Sequence, residues 1–234
     1  MNTPAKDTAT MPPKALIFGS IGTLAEITDL ERRAFNAAFD EHGLDWTWDE
    51  ETYADLLTEP DGERRIEQYA AQHDTEVDAM SLHASTIKHL SCLVDDEGLR
   101  ARPGVYEMVS NAKKAGVALG FATTASPDTL TLMFSGLFPD LPRSVFDYIG
   151  SHEDVTRNKP APDIYEVTLK ELGVAAGDAL AIEDTPEAAR AAVAAGIETL
   201  GFAHSFSTGR SFPDGVEEVD ILPVDIFADE TPAA

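Results

Sequence analysis

The chain has 234 residues, 43% of them hydrophobic, which is enough for one large domain or for a domain carrying a smaller inserted one. Lys and Arg number 17 against 42 Asp and Glu, a formal charge of −25; such a surface repels phosphate backbones, argues against nucleic acid as a partner, and obliges any phosphorylated ligand to find a local positive patch. No apolar run approaches the roughly 20 residues of a membrane span, and the polar start lacks the apolar segment of a secretory signal. The single cysteine, Cys92, excludes an internal disulfide; it reads as a core or helix residue, and the expected compartment is the cytoplasm.

In chain order, residues 1–13 are expected to form a disordered leader. Ala15–Phe18 is a short apolar run that breaks into a small-residue turn, Gly19-Ser20-Ile21-Gly22-Thr23-Leu24, the pattern of a buried strand ending in a loop. Residues 29–97 are helix-like and polar: Leu30–His42, Asp49–Leu57, Glu63–His73 and Val77–Cys92. Beyond residue 98, helical patterns (Gly104–Ala115, Ser126–Ser135, Pro162–Leu172, Thr185–Ala195) alternate with strand patterns (Val117–Ala122, Phe146–Ile149, Ala179–Ile182, Glu198–Phe202). That alternation predicts an α/β fold, a doubly wound parallel sheet covered on both faces. The core is expected over 14–28 and 98–227, with a helical insert over 29–97 and a flexible tail over 228–234. Thr185 followed by Pro186 marks a helix start, and Gly116, Gly173 and Gly196 suit helix ends.

Three segments carry candidate chemistry. Thr123-Thr124-Ala125-Ser126 follows a strand and opens a helix, so a hydroxyl and backbone N–H groups can form an anion site, while Ser126 before Pro127 can equally be a plain helix cap. Lys159 is one of few cations and precedes a proline-rich helix start. Glu183-Asp184 ends an apolar strand; paired carboxylates there suit a hard cation such as Mg²⁺, or simply favour a helix N-terminus.

Taken in order, these segments resemble the motifs of the haloacid dehalogenase superfamily, whose first strand ends in Asp-x-Asp-Gly-Thr-Leu. The sugar-phosphatase and β-phosphoglucomutase branch, with a helical cap after the first motif, is the most similar. Arg33–Phe39, Gly43-Leu44-Asp45-Trp46, Lys159–Tyr165 and Ile182-Glu183-Asp184 resemble the phosphatases that clear sugar bisphosphates around carbon fixation.

The resemblance implies a role for each position. Gly19 and Ile21 occupy the nucleophile and acid/base places, and neither can attack phosphorus or pass a proton. Thr123, Lys159 and the backbone at Ser20, Gly22 and Thr23 would bind phosphate, and Asp184 with support from Glu183 would hold a weakened Mg²⁺. In the cap, a Thr-Gly-Gly-Lys-like substrate loop corresponds to Pro60-Asp61-Gly62-Glu63 before Arg64-Arg65, so that Glu63 stands for a cation and Asp61, Gly62, Glu63 and Arg65 form the candidate loop.

Loss of a covalent nucleophile lowers rates by about 10⁴–10⁶ in other enzymes. Three readings remain open. The first is a catalytically retired relative that still binds a phosphorylated small molecule or inorganic anion, as a sensor or the partner of another protein. The second is an Mg²⁺-dependent phosphohydrolase of small sugar phosphates, with water attacking through the space beside Gly19 and Glu183 or Asp184 as base. The third reading is a structural or interaction protein with a vestigial pocket.

Overall fold

The computed structural model describes residues 12–59, 61–207 and 209–227. The expected leader up to Met11, Pro60 and the expected tail from Ala228 lie outside the described residues.

The elements, in order, are β1 (Ala15–Phe18), α1 (Ile21–Leu24), α2 (Thr28–Glu41), α3 (Glu50–Leu56), α4 (Gly62–Gln72), α5 (Ala79–Glu97), α6 (Val105–Lys114), β2 (Ala118–Ala122), α7 (Pro127–Leu137), β3 (Tyr148–Gly150), α8 (Asp163–Leu172), β4 (Ala179–Glu183), α9 (Pro186–Ala194), β5 (Glu198–Gly201) and β6 (Glu217–Glu218). The strands form one parallel sheet in the order β3-β2-β1-β4-β5-β6. This is the doubly wound arrangement, and its strand order reverses at β1, where ligands bind outside the carboxyl ends of such sheets.

β1 and β4 are buried along their whole length, as central parallel strands are. Their side chains alternate between two layers. Leu16, Phe18, Leu180 and Ile182 face a core built with Met108 and Val109 of α6 and Met133 and Phe134 of α7. Ala15, Ile17, Ala179 and Ala181 face the other side, against Ile164, Tyr165 and Leu169 of α8 and Ala191 and Ala192 of α9. The register pairs Phe18 with Ile182, so Gly19 and Glu183 fall next to each other on the α8 side.

Helices α2 to α5 lie between β1 and β2 in the chain and build a separate aromatic cluster from Phe35, Phe39, Trp48, Tyr53 and Ile66. Trp48 is its centre, with ring centroids 4.8 Å from Phe35 and 4.7 Å from Phe39. Leu30 and Ala34 of α2 and Leu90 and Val94 of α5 belong instead to the core on the sheet, so two of the four helices are shared between clusters.

Three details differ from the sequence pattern. α5 continues to Glu97, because Val94 extends the apolar stripe, and it ends only at Gly98, whose φ of 77° is left-handed. β6 adds a sixth strand from two exposed glutamates, too short and too polar to show a strand period. Cys92, expected in the core or on a helix, is exposed on α5, so only the core alternative fails. Among the described residues no helix is long and apolar enough to cross a membrane.

Trp48 is held through its backbone: Asn36 accepts from Trp48 N at 2.8 Å and donates to Trp48 O at 2.9 Å. Asn36→Ala strands that N–H, and unfolding in urea should show a loss of about 1–3 kcal/mol.

Candidate functional site

A cleft of about 410 Å³ opens at the carboxyl edge of the sheet, between the loops after β1, β2 and β4 and the helices α2, α4 and α5. The structure brings Gly19, Ser20, Ile21, Gly22, Thr123, Lys159 and Asp184 to its sheet side, with Asp61, Gly62, Glu63 and Arg65 on its helical side. Thr23 and Glu183 are not on its wall. Thr23, whose backbone was expected among the anion contacts, is buried; its N–H donates to Ser20 O at 3.1 Å and its hydroxyl to the same oxygen at 2.6 Å.

Glu183, expected beside a metal, turns away from the cleft. Lys159 Nζ donates to Glu183 Oε1 at 2.5 Å and to Gly19 O at 2.5 Å, and the Tyr165 hydroxyl donates to the same Oε1. Glu183 is 0% exposed and Lys159 8%. Burial pushes the Glu183 carboxyl above its usual range, against the opposing pull of Lys159 and Tyr165.

The room expected beside Gly19 is therefore filled. A Cβ at Gly19 would lie 2.0 Å from Glu183 Oε1 and 2.2 Å from Tyr165 Oη. Gly22 is crowded in the same way, with Asp184 Oδ2 2.0 Å from where its Cβ would stand.

Asp184 is the carboxylate that this end of the cleft presents. Ser20 Oγ donates to its Oδ1 at 2.5 Å, and His204 Nε2 lies 3.8 Å from Oδ2. Phe206 N donates to His204 Nδ1, which assigns the ring proton to Nε2, facing Asp184. Burial holds His204 below the usual imidazole range, with Asp184 pulling the other way.

On the helical side, Arg65 donates to the Tyr53 hydroxyl at 2.8 Å, and that hydroxyl donates to Glu31 at 3.3 Å. The Phe35 and Tyr53 rings lie 5.4 and 5.5 Å from the guanidinium, within reach for cation–π attraction. Burial raises Glu31 above the usual carboxylate range, opposed first by Arg65. Asp61, expected in a substrate loop, accepts from Glu63 N and Arg64 N and so caps α4.

Of the two carboxylates expected to hold Mg²⁺, only Asp184 is turned to the cleft. The ion requires near-octahedral oxygen ligation, yet Glu183 is committed to Lys159, and no group of three His, Cys, Asp or Glu among the described residues is placed to hold a metal.

Besides His204, Glu31 and Tyr53, two further residues of this site were not singled out from sequence. Tyr165 sits on α8 one turn from the proline-rich start and shares Glu183 with Lys159. Arg102 donates to Gly22 O at 3.0 Å, Phe202 O at 2.7 Å and Ala203 O at 2.7 Å, and stacks 3.5 Å over the Phe202 ring, so it ties the loop after β1 to the end of β5. An Arg directly before Pro103-Gly104 in a cation-poor chain was its available signal.

The profile of the haloacid dehalogenase-like hydrolases matches residues 17–202. The chain belongs to this family. It is 39% identical to Protein CbbY, plasmid, of Cupriavidus necator over 209 residues, covering 85% of this chain and 82% of that protein. The crystal structure of CbbY from Rhodobacter sphaeroides in complex with phosphate superposes with a TM-score of 0.82 at 32% identity, covering 93% of this chain and 96% of that one. A variant of CbbY from the same organism, crystallised with xylulose-(1,5)bisphosphate, matches with the same TM-score, identity and coverage. The six-stranded parallel sheet with flanking helices is thus the haloacid dehalogenase-like fold.

Two outcomes follow for this family member. Gly19→Ala must push Glu183 off Lys159, and thermal or urea unfolding should register a loss of about 2–4 kcal/mol. Arg102→Lys keeps the charge but loses the planar fork that reaches three carbonyls; unfolding should again show a loss of about 2–4 kcal/mol, with no recovery at high salt.

Proposed function

We propose that this chain binds a phosphorylated small molecule between the carboxyl edge of the sheet and the helices of residues 29–97, which act as a cap, and does not hydrolyse it through a phosphoaspartate. One observation carries the reading: the tip of β1 is Gly19, and the Glu183 carboxylate and Tyr165 hydroxyl stand where a side chain at that position would go. The binding half is supported by the cleft itself, which keeps Lys159, Thr123 and Ser20 on one wall and Arg65 on the other. It is supported too by the CbbY relatives crystallised with phosphate and with xylulose-(1,5)bisphosphate.

Attack by water from beside Gly19 has no room, since the Cβ position alone is within 2.2 Å of two oxygens. Asp184 as a base already accepts from Ser20. In this reading Mg²⁺ is not a resident cofactor: Lys159 takes Glu183, the supporting carboxylate, and Asp184 is left without it. Thr123 Oγ1 accepts from Ala125 N at 3.1 Å, which leaves its proton for an anion oxygen. The protein then acts as a sensor or as the partner of another protein, with ligand occupancy as its signal.

The test runs the chain beside an active CbbY on a panel of sugar phosphates and sugar bisphosphates. Turnover should be lower by at least about 10⁴-fold, while calorimetry detects binding of inorganic phosphate or xylulose-(1,5)bisphosphate that Lys159→Met removes. Turnover that disappears in Asp184→Asn would sink the non-hydrolytic half, and silence in calorimetry at millimolar ligand the binding half.

A further inference from the structure

The cation at the sheet end of the cleft is Lys159, and the structure has already given its charge a partner. Its Nζ reaches Glu183 Oε1 and Gly19 O, each at 2.5 Å, and lies 4.9 Å from the centre of the Tyr165 ring. Lys159 lines the cleft; Glu183 stands behind it, fully buried, and lines no part of the wall. An entering phosphate would meet a lysine whose charge is cancelled from the rear, and beside it the carboxylate of Asp184.

The hold on Glu183 is one-sided. Both Lys159 and Tyr165 engage Oε1, while Oε2 is buried with no hydrogen-bond partner among the described residues. A buried carboxylate oxygen without a donor is a costly arrangement, which lowers the work needed to move the group. A phosphate, with three acceptor oxygens, satisfies the same ammonium better than a carboxylate held at one oxygen.

We infer that Glu183 is an internal competitor for the ligand's phosphate: its carboxylate occupies the charge of Lys159, and an anion binds at the sheet end of the cleft only as Glu183 releases that lysine. The inference rests on the binding reading above and adds its regulation. Weak binding of free phosphate is then a built-in property. A ligand with further groups for the helical wall supplies the interactions that open the pair.

Calorimetric titration with inorganic phosphate tests this on four proteins. Glu183→Gln keeps the shape and frees the ammonium, and should bind phosphate about 10–100-fold more tightly than the unaltered chain. Tyr165→Phe retains every charge and removes one donor to Glu183, so a gain of about two- to tenfold is expected. Lys159→Met combined with Glu183→Gln should lose the gain. A rise in affinity is an outcome that mere loss of packing does not produce. Equal affinities for the unaltered chain and Glu183→Gln overturn the inference and leave the binding reading standing. If Glu183→Gln does not fold, Tyr165→Phe decides alone, and an unchanged affinity overturns the inference. Phosphate retained by the double variant overturns it too, since the anion then sits away from Lys159. If none of the four binds phosphate or xylulose-(1,5)bisphosphate at millimolar concentration, the binding reading itself falls.

Discussion

The buried pair between Lys159 and Glu183 decides what the tip of β1 can be. Removing two opposite charges from water is expensive, and their attraction offsets that expense only with good geometry and further hydrogen bonds. Here Gly19 O and the Tyr165 hydroxyl supply those bonds. Removal of either charge alone leaves the other buried and uncompensated, so the loop carrying Lys159, the end of β4 and the glycine after β1 act as one unit. Period-two alternation explains why these groups meet: Ala15, Ile17 and then Gly19 on β1 point to the same layer as Ala179, Ala181 and Glu183 on β4, and Tyr165 of α8 belongs to that layer.

The same economy of positive charge runs through the site. With 17 cations against 42 acids in the whole chain, each cation near the cleft is already engaged. Lys159 serves Glu183, Arg65 sits against Tyr53 with Glu31 beyond, and Arg102 is spread over three backbone carbonyls and an ion pair with Glu26. Asp61 and Glu63 stand on the same helical wall as Arg65. A highly charged ligand therefore has to compete for these cations, and its affinity measures the difference between its own contacts and the internal ones it displaces.

Much of the fold was legible because its strands are short apolar runs separated by long helical patterns. β1 and β4 read directly from Ala15–Phe18 and Ala179–Ile182. β6 did not, since Glu217 and Glu218 join the sheet by backbone pairing alone. For the site, the sequence pattern located the loops but not the directions of their side chains. Glu183 and Asp184 are adjacent, yet one points to α8 and the other to the cleft, because successive side chains at a strand end face opposite ways. The Thr23 backbone looked like an anion contact but lies inside the short helix α1, where its N–H and its hydroxyl both find Ser20 O. Tyr165 and Arg102 act through contacts made across 18 to about 100 positions in the chain, which no local spacing can show.

The two departures at the end of β1 are coupled to the rest of the site and are not simple vacancies. Gly19 is required by the inward Glu183, since even a methyl group there collides with its carboxylate. Ile21 is 8% exposed, lines the cleft and packs in the cluster that includes Leu24, Ile27 and Leu30, so a carboxylate at that place would give up apolar contacts. An aspartate at 19 and an inward glutamate at 183 thus exclude each other, and each state has its own partner for Lys159. With Asp at 19 the lysine would face a carboxylate on β1 and leave Glu183 to seek another cation. With Gly at 19 the lysine takes Glu183, and the strand tip closes. A side chain at 19 and the present orientation of Glu183 compete for one space and for Lys159, so substitutions at the two positions are expected to be non-additive.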